Sequence, residues 1–479
     1  MRVTFVAPDF HAGGPENIVG SLPPLNLLYL GGALRHAGFS NLSLVDLNKL
    51  VAPGTPREEV VESMLRGRPD LVFIGGAAST PSFPRTVELA EGIKEMDKDV
   101  LVVTGGTHPT FKYKDIISRP SPFDYIILGE GETPAQELLC TLDRGGDMRS
   151  VKNLVWKSPS GSYVINPMGN SHTDLDLILP QWDLISDWGK YKAPASEEIV
   201  TTLQYSRGCG FRCTFCGQWE FWRGWHCRAP VSVAAEVEWL HKKHGVSLFF
   251  WADENPGEDQ LKWLELLEKL SDANERCSGR LHHMLNTRVD YVVRDEPHLP
   301  LYRRAGIQFI DLGMEAAVQQ RLDQFHKRTT VETNKRCLEL LRQNDIISIV
   351  QIQLGHPDDT LDFLEESLRN LILWNPDLLH FYYVTPFPWT VFGHQMADKI
   401  VETDISKWDY RHPVLRLDHL SSDVLVSWAK RAKIIFDFNP ERLMSIFQIE
   451  DDYRRRFIIG SLVRSLKYRA GQAALSTFL

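Results

Sequence analysis

Short, uninterrupted apolar runs recur along this chain in two series, each run ending in glycine, acidic or hydroxyl residues and followed by a helix-period segment. The first series is RVTFVAP (2–8), LSLVDL (42–47), LVFIGGA (71–77), VLVVTGG (100–106) and YIILGEG (125–131), separated by segments such as LLYLGGALRHAG (27–38) and RTVELAEGIKEM (85–96). Strands apolar on both faces that alternate with helices predict a parallel sheet covered on both sides, an α/β fold. Such sheets bind ligands beyond the carboxyl ends of their strands. Those ends carry DFHAGG (9–14), GGAAST (75–80), GGTHPT (105–110) and GEGE (129–132). No G-x-G-x-x-G follows the first strand, which argues against a nicotinamide dinucleotide. Residues 1–145 are therefore expected to form a ligand-binding Rossmann-like domain of flavodoxin type. The turn-rich stretch 146–196 is expected to be a linker.

The second series is IVTTLQYSR (199–207), SLFFWADEN (247–255), HHMLNTRVD (282–290), IQFIDLGME (307–315), SIVQIQLGH (348–356) and LLHFYYVTP (378–386). Six β/α units over 197–395 predict a partial (β/α)6 TIM-type barrel, whose site belongs at the C-terminal ends of its strands. Residues 396–479, helical and rich in Trp, Phe and Arg, are expected to form a helical C-terminal domain over the barrel mouth.

A chain of 479 residues needs two or three cores. Its net charge of −9 disfavours nucleic acid as a partner, and the basic cluster Arg454, Arg455, Arg456 reads as a solvated helix face. No run approaches the ~18 apolar residues of a membrane span, and the first residues lack the marks of a secretory signal. Cysteine is sparse outside one cluster, so a disulfide scaffold is excluded and a cytoplasmic location is expected.

That cluster is RGCGFRCTFCGQW, with Cys209, Cys213 and Cys216 spaced C-x3-C-x2-C directly after the first strand of the second series. Three thiolates leave one iron of a four-iron cubane without a protein ligand, and an open coordination site is where a metal centre does chemistry. The alternative is zinc, closed by Cys227 or His226, although zinc sites usually use two C-x2-C pairs and only one is present here.

The triplet in this position, with Phe215 before the third cysteine, resembles the radical S-adenosylmethionine superfamily. The strand-rich domain in front of it resembles the superfamily's cobalamin-dependent branch, and within it the anaerobic magnesium-protoporphyrin monomethyl ester cyclase and related class B methylases. The parallels are HAGG, PPLNLLYLGGALRHAG, GGTHPTF, GEGE, CGQWEFWR, NTRVD and TPFPW, and they cover nearly the whole chain.

The resemblance implies a 4Fe–4S cluster on Cys209, Cys213 and Cys216, whose open iron chelates S-adenosylmethionine and cleaves it to a deoxyadenosyl radical. By the same resemblance Phe215 and Gln218 lie at the cofactor, and ADEN, with Asp253 and Glu254, meets the methionyl amine. Glu315 meets the nucleoside, with Arg288 and Gln353 on the same rim. A carboxylate facing an ammonium or a ribose diol makes the stronger, charge-assisted kind of hydrogen bond. Trp219, Trp222 and Arg223 are expected on the substrate side or as a buried aromatic wedge.

Cobalamin is expected against His11, Gly13, Gly14, Ser79, Thr80, Gly105, Gly106, Thr107 and Glu130. Asp9, His11 and Gly14 fit D-x-H-x-x-G, though packing near the corrin is expected of His11 more than cobalt ligation. The implied chemistry is functionalisation of an unactivated carbon in a small molecule. C-methylation through methylcobalamin is favoured over radical oxidation, hydroxylation or ring closure, with flavodoxin or ferredoxin as external one-electron reductant. A non-catalytic cobalamin or metal sensor is the reading from another class; it has no need of an open iron.

Overall fold

The computed structural model describes residues 1–10, 22–52, 54–76, 79–169, 172–193 and 196–476, with side chains to 467. The chain forms two compact units that divide after Tyr191.

In the first unit the apolar runs become β1 (Val3–Ala7), β2 (Leu42–Asp46), β3 (Leu71–Ile74), β4 (Leu101–Thr104) and β5 (Tyr125–Ile127), all parallel in the order β2-β1-β3-β4-β5. This is the flavodoxin-type order. Phe5, Leu27, Leu34, Phe73, Val103 and Leu138 build its core.

The stretch expected as a linker instead continues this sheet. β6 (Leu154–Lys157) pairs antiparallel with β5, and β7 (Tyr163–Ile165) with β6. The Tyr163 hydroxyl donates to the Phe123 carbonyl at 2.8 Å, fixing the added edge. The rest of that stretch straps the helix Leu25–His36: Gln181 N–H donates to the Leu28 carbonyl at 2.9 Å. A Cβ at Gly32 would collide with the Leu179 carbonyl oxygen, which accounts for glycine in LLYLGGALRHAG.

The second unit opens with β8 (Val200–Leu203), followed by β9 (Ser206–Arg207) and β10 (His226–Cys227), a two-residue antiparallel ribbon. Then come β11 (Leu248–Trp251), β12 (His282–Thr287), β13 (Ile307–Glu315), β14 (Ile347–Leu354) and β15 (Leu378–Tyr383). The barrel sheet is parallel, in the order β15-β14-β13-β12-β11-β8. Side chains alternate as the pleat demands. Outward, Phe381 meets Trp428 of the helix Ser422–Asp437. Inward, the Gln351 amide donates to Asp311 at 2.7 Å, and burial lifts that carboxyl to about 7.

The C-terminal residues divide between the two ends of this barrel, in contrast to the expected single cap. Residues 400–415 lie at the mouth, where Tyr383 N–H donates to the Tyr410 carbonyl at 2.8 Å. The helices Pro440–Phe447 and Asp452–Ser476 close the opposite end. Arg442 donates to the Pro376 carbonyl, and Arg454 pairs with Asp377, both just before β15. Arg454 is thus buried rather than part of a solvated face. Among the described residues, no helix is long and apolar enough to cross a membrane.

Candidate active site

β8 is wholly buried, and the loop it launches is held at its base by the β9–β10 ribbon. Asp253, after β11, turns its carboxylate to this base. It accepts from Tyr205 N–H at 3.1 Å, from Ser206 N–H, and from Ser206 Oγ at 2.6 Å. Burial raises its pKa to about 7 against the pull of these donors. Asp253 therefore holds the chain that carries the cysteines, where the sequence led us to expect contact with a cofactor.

Gly208 leaves the ribbon at φ +89°, and a Cβ there would collide with the Gly224 carbonyl oxygen. The cysteines follow. Cys216 N–H donates to the Cys213 carbonyl at 3.1 Å, making the C-x2-C turn. Thr214 N–H donates to the Phe325 carbonyl at 3.2 Å and its own carbonyl accepts from Phe392 N–H at 2.9 Å, so strands β13 and β15 both anchor the loop through the segments that follow them. Phe215 packs edge-on against Phe325, with centroids 5.2 Å apart, and acts as a wedge.

Burial raises the Cys209 and Cys216 thiols, the latter to about 12; the backbone N–H groups of Phe211 and Gln218 oppose this, and the neighbouring thiols add to it. Backbone N–H groups aimed at sulfur are what an iron–sulfur centre uses to tune its thiolates. A single tetrahedral zinc needs thiolate sulfurs about 3.8 Å apart, given Zn–S near 2.3 Å. Among the described residues, no set of three ligands that includes a cysteine lies within 4.8 Å, with Cys227 and His226 considered too.

The other strand ends complete the rim. Glu254, next to Asp253, accepts from Trp222 Nε1–H at 2.7 Å and from Gly208 N–H at 3.2 Å. Trp222 ends the short helix Gln218–Trp222, and Arg223 caps it at φ +55°. Arg212 lies over the Trp219 ring at 5.2 Å. Arg288 is engaged by Asp290 at 2.9 Å and the Lys327 carbonyl at 2.8 Å, and its guanidinium covers Phe211 at 3.5 Å. It thus supports the cysteine loop.

A β-bulge between Gly313 and Glu315 throws Glu315 into the left-handed region, at φ +66°. There its two oxygens meet Lys327 Nζ at 2.9 Å and the Gln353 amide at 2.8 Å. The sequence offered no signal for Lys327. Tyr410 is a second residue it missed: its hydroxyl lies within electrostatic reach of Cys216 and Glu315.

At the carboxyl ends of the first sheet, Ser79 Oγ accepts from His108 N–H at 2.9 Å, and Thr80 Oγ1 lies 3.3 Å from His108 Nδ1. Gly105 and Gly106 follow β4 and lead into the helix Thr107–Ile117. Glu130 accepts from Thr173 N–H at 3.1 Å. Asp9 pairs with Arg85 at 2.9 Å. His11, Gly13 and Gly14 lie outside the described residues.

His108, also unforeseen, is lowered to about 4 by burial. The unfolded chain takes up its proton near pH 6.5 and the folded chain does not, so stability is lost as pH falls from about 6.5 to about 4. His108→Gln should flatten this part of the pH–stability profile in thermal melts at a series of pH values.

Comparison with known proteins agrees with this geometry. Residues 16–139 match the B12 binding domain, and residues 203–371 match the Radical SAM superfamily. The anaerobic magnesium-protoporphyrin IX monomethyl ester cyclase of Rubrivivax gelatinosus is 34% identical over 470 residues, 98% of this chain and 82% of that protein. The hopanoid C-3 methylase of Methylococcus capsulatus is 25% identical over 399 residues, 82% of this chain and 72% of that one. The cobalamin-dependent S-adenosylmethionine radical enzyme OxsB, solved with aqua-cobalamin and S-adenosylmethionine bound, shares the fold at a TM-score of 0.72 and 16% identity, over 100% of this chain and 75% of that one.

A flavodoxin-type B12 domain followed by a partial barrel with a three-thiol loop defines an enzyme of the cobalamin-dependent radical S-adenosylmethionine class. Its cofactors are cobalamin, S-adenosylmethionine and a 4Fe–4S cluster. Within that class the chain belongs to the family of the anaerobic magnesium-protoporphyrin IX monomethyl ester cyclase.

Proposed function

We propose that this enzyme oxidises an unactivated carbon of a tetrapyrrole ester, with hydroxylation or ring closure as the outcome. The observation that carries this reading is 34% identity to a cyclase maintained over 98% of the chain. Bound to Cys209, Cys213 and Cys216, a 4Fe–4S cluster would pass one electron to S-adenosylmethionine and so supply the radical that takes hydrogen from the substrate. An external one-electron reductant, a flavodoxin or ferredoxin of the cytoplasm, would reduce the cluster.

The chain's own work is placement and exclusion of water. Lys327 and Gln353 hold Glu315 for the nucleoside, and Phe215 fixes the third cysteine from behind. The first-sheet loops at Ser79, Thr80, Gly105, Gly106, Thr107 and Glu130 would line the corrin, with Trp219 and Arg223 on the substrate side.

C-methylation is the second reading, favoured by the similarity to the hopanoid methylase. Anaerobic turnover of magnesium-protoporphyrin monomethyl ester with methyl-labelled S-adenosylmethionine separates the two. Oxidation gives deoxyadenosine and an unlabelled product. Label in the product establishes methylation, and absence of both deoxyadenosine and product refutes this substrate class.

A further inference from the structure

The segment QWEFWR, beginning two residues after the third cysteine, is tied to the strand end that carries Glu254 by one hydrogen bond. Trp222 Nε1–H donates to Glu254 Oε1 at 2.7 Å, while Gly208 N–H holds Oε2 at 3.2 Å. The indole is itself fixed on two sides. The Arg207 guanidinium lies over its ring at 5.1 Å, and Phe221 meets it edge-on at 4.8 Å and 83°. Arg207 is buried and donates from Nε to Gln204 Oε1 at 3.0 Å, so the support beneath the indole reaches back to the residue after β8. A five-residue helix beginning two residues after Cys216 therefore delivers a single, immobilised N–H to the strand end that carries Glu254.

An ionised carboxylate offers about four acceptor positions. Trp222 and Gly208 take one position on each oxygen and the residue's own backbone N–H is a third donor, which fixes the plane of the group and leaves acceptor capacity for one further partner. We infer that Trp222 is a positioning residue for Glu254, setting the carboxylate so that its remaining acceptor position meets the methionyl ammonium of S-adenosylmethionine. The inference rests on the radical S-adenosylmethionine reading of the site. It assigns Trp222 to cofactor selection rather than to substrate contact or core filling.

The test compares two probes on anaerobically reconstituted enzyme by titration calorimetry. S-Adenosylhomocysteine carries the amino-acid group, and 5′-methylthioadenosine lacks it. Trp222→Phe keeps the ring and removes the N–H. Loss of one hydrogen bond to a charged group should weaken S-adenosylhomocysteine about tenfold and leave methylthioadenosine within about twofold, with iron content unchanged. Glu254→Gln, which removes the charge, should give the same selective loss.

If both probes weaken together in Trp222→Phe, the indole is only a wedge and the inference falls. Unchanged selectivity in Glu254→Gln overturns it however the tryptophan variant behaves. Wild-type enzyme that binds methylthioadenosine and S-adenosylhomocysteine alike, yet cleaves S-adenosylmethionine, overturns this inference alone. Wild-type enzyme that neither binds these probes nor cleaves S-adenosylmethionine overturns the radical reading as well.

Discussion

Gly208→Ala should abolish cluster assembly and S-adenosylmethionine cleavage while leaving the barrel folded. Gly208 stands one residue before Cys209, at φ +89°, where an L side chain is strained whatever the space around it. A Cβ at that point also meets the Gly224 carbonyl oxygen across the neck of the loop. That oxygen is a backbone atom two residues before β10, so no rotamer change can relieve the collision. The outcome is displacement of the loop at its neck. Gly208 N–H would then leave Glu254, and Cys209 would move away from Cys213 and Cys216. A cubane tolerates no such error, because three ligands must meet three irons at once. Iron and sulfide analysis after reconstitution should fall from about four per chain to background, with deoxyadenosine production reduced at least a hundredfold. Near-native far-UV circular dichroism would separate this from unfolding. A variant that assembles a normal cluster would show that the neck has room the structure denies it.

The cysteine triplet and the strands were readable in the sequence because both are local. β13 spans Ile307–Glu315, the whole of IQFIDLGME, since a strand buried on both faces is one uninterrupted apolar run. What the sequence could not convey is where a polar side chain at a strand end turns. Asp253 and Glu254 are adjacent acids after the same strand. The first caps the backbone of Tyr205 and Ser206, and the second receives an indole N–H. That choice depends on donors 32 to 48 positions earlier in the chain, and no local pattern encodes it.

The hairpin β6–β7 is a different kind of miss. Its turn signal, Ser158 to Ser162 with Gly161 at φ +84°, stood between two short β-prone runs. Three- and four-residue strands gave too little alternation to outweigh the surrounding turn formers. Lys327 and Tyr410 were invisible because each lies outside the strands, and the barrel closure alone brings them to Glu315 and Cys216.

The three consecutive arginines near the C-terminus should differ widely in their effect on stability, although the sequence presents them as equals. The Arg454 side chain is 4% exposed, and its guanidinium meets both oxygens of Asp377 at 2.9 Å, with Asp345 at 3.5 Å. Asp377 precedes β15 and also accepts from Ser348 N–H at 2.9 Å on β14. One ion pair therefore ties the helix Asp452–Ser476 to two strands of the barrel. Removing one partner of such a pair leaves the other charge buried and partly unpaired, a loss of about 3–5 kcal/mol. Arg454→Ala should lower the midpoint of thermal unfolding by roughly 5–8 °C for a unit of this size. Arg456 is 79% exposed and pairs with Asp452 on the surface, so Arg456→Ala should change stability by less than about 0.5 kcal/mol. Asp377→Asn combined with Arg454→Ala should recover part of the loss, because no uncompensated charge remains. Equal effects of the two alanine substitutions would place Arg454 in solvent and remove the helix from the barrel floor.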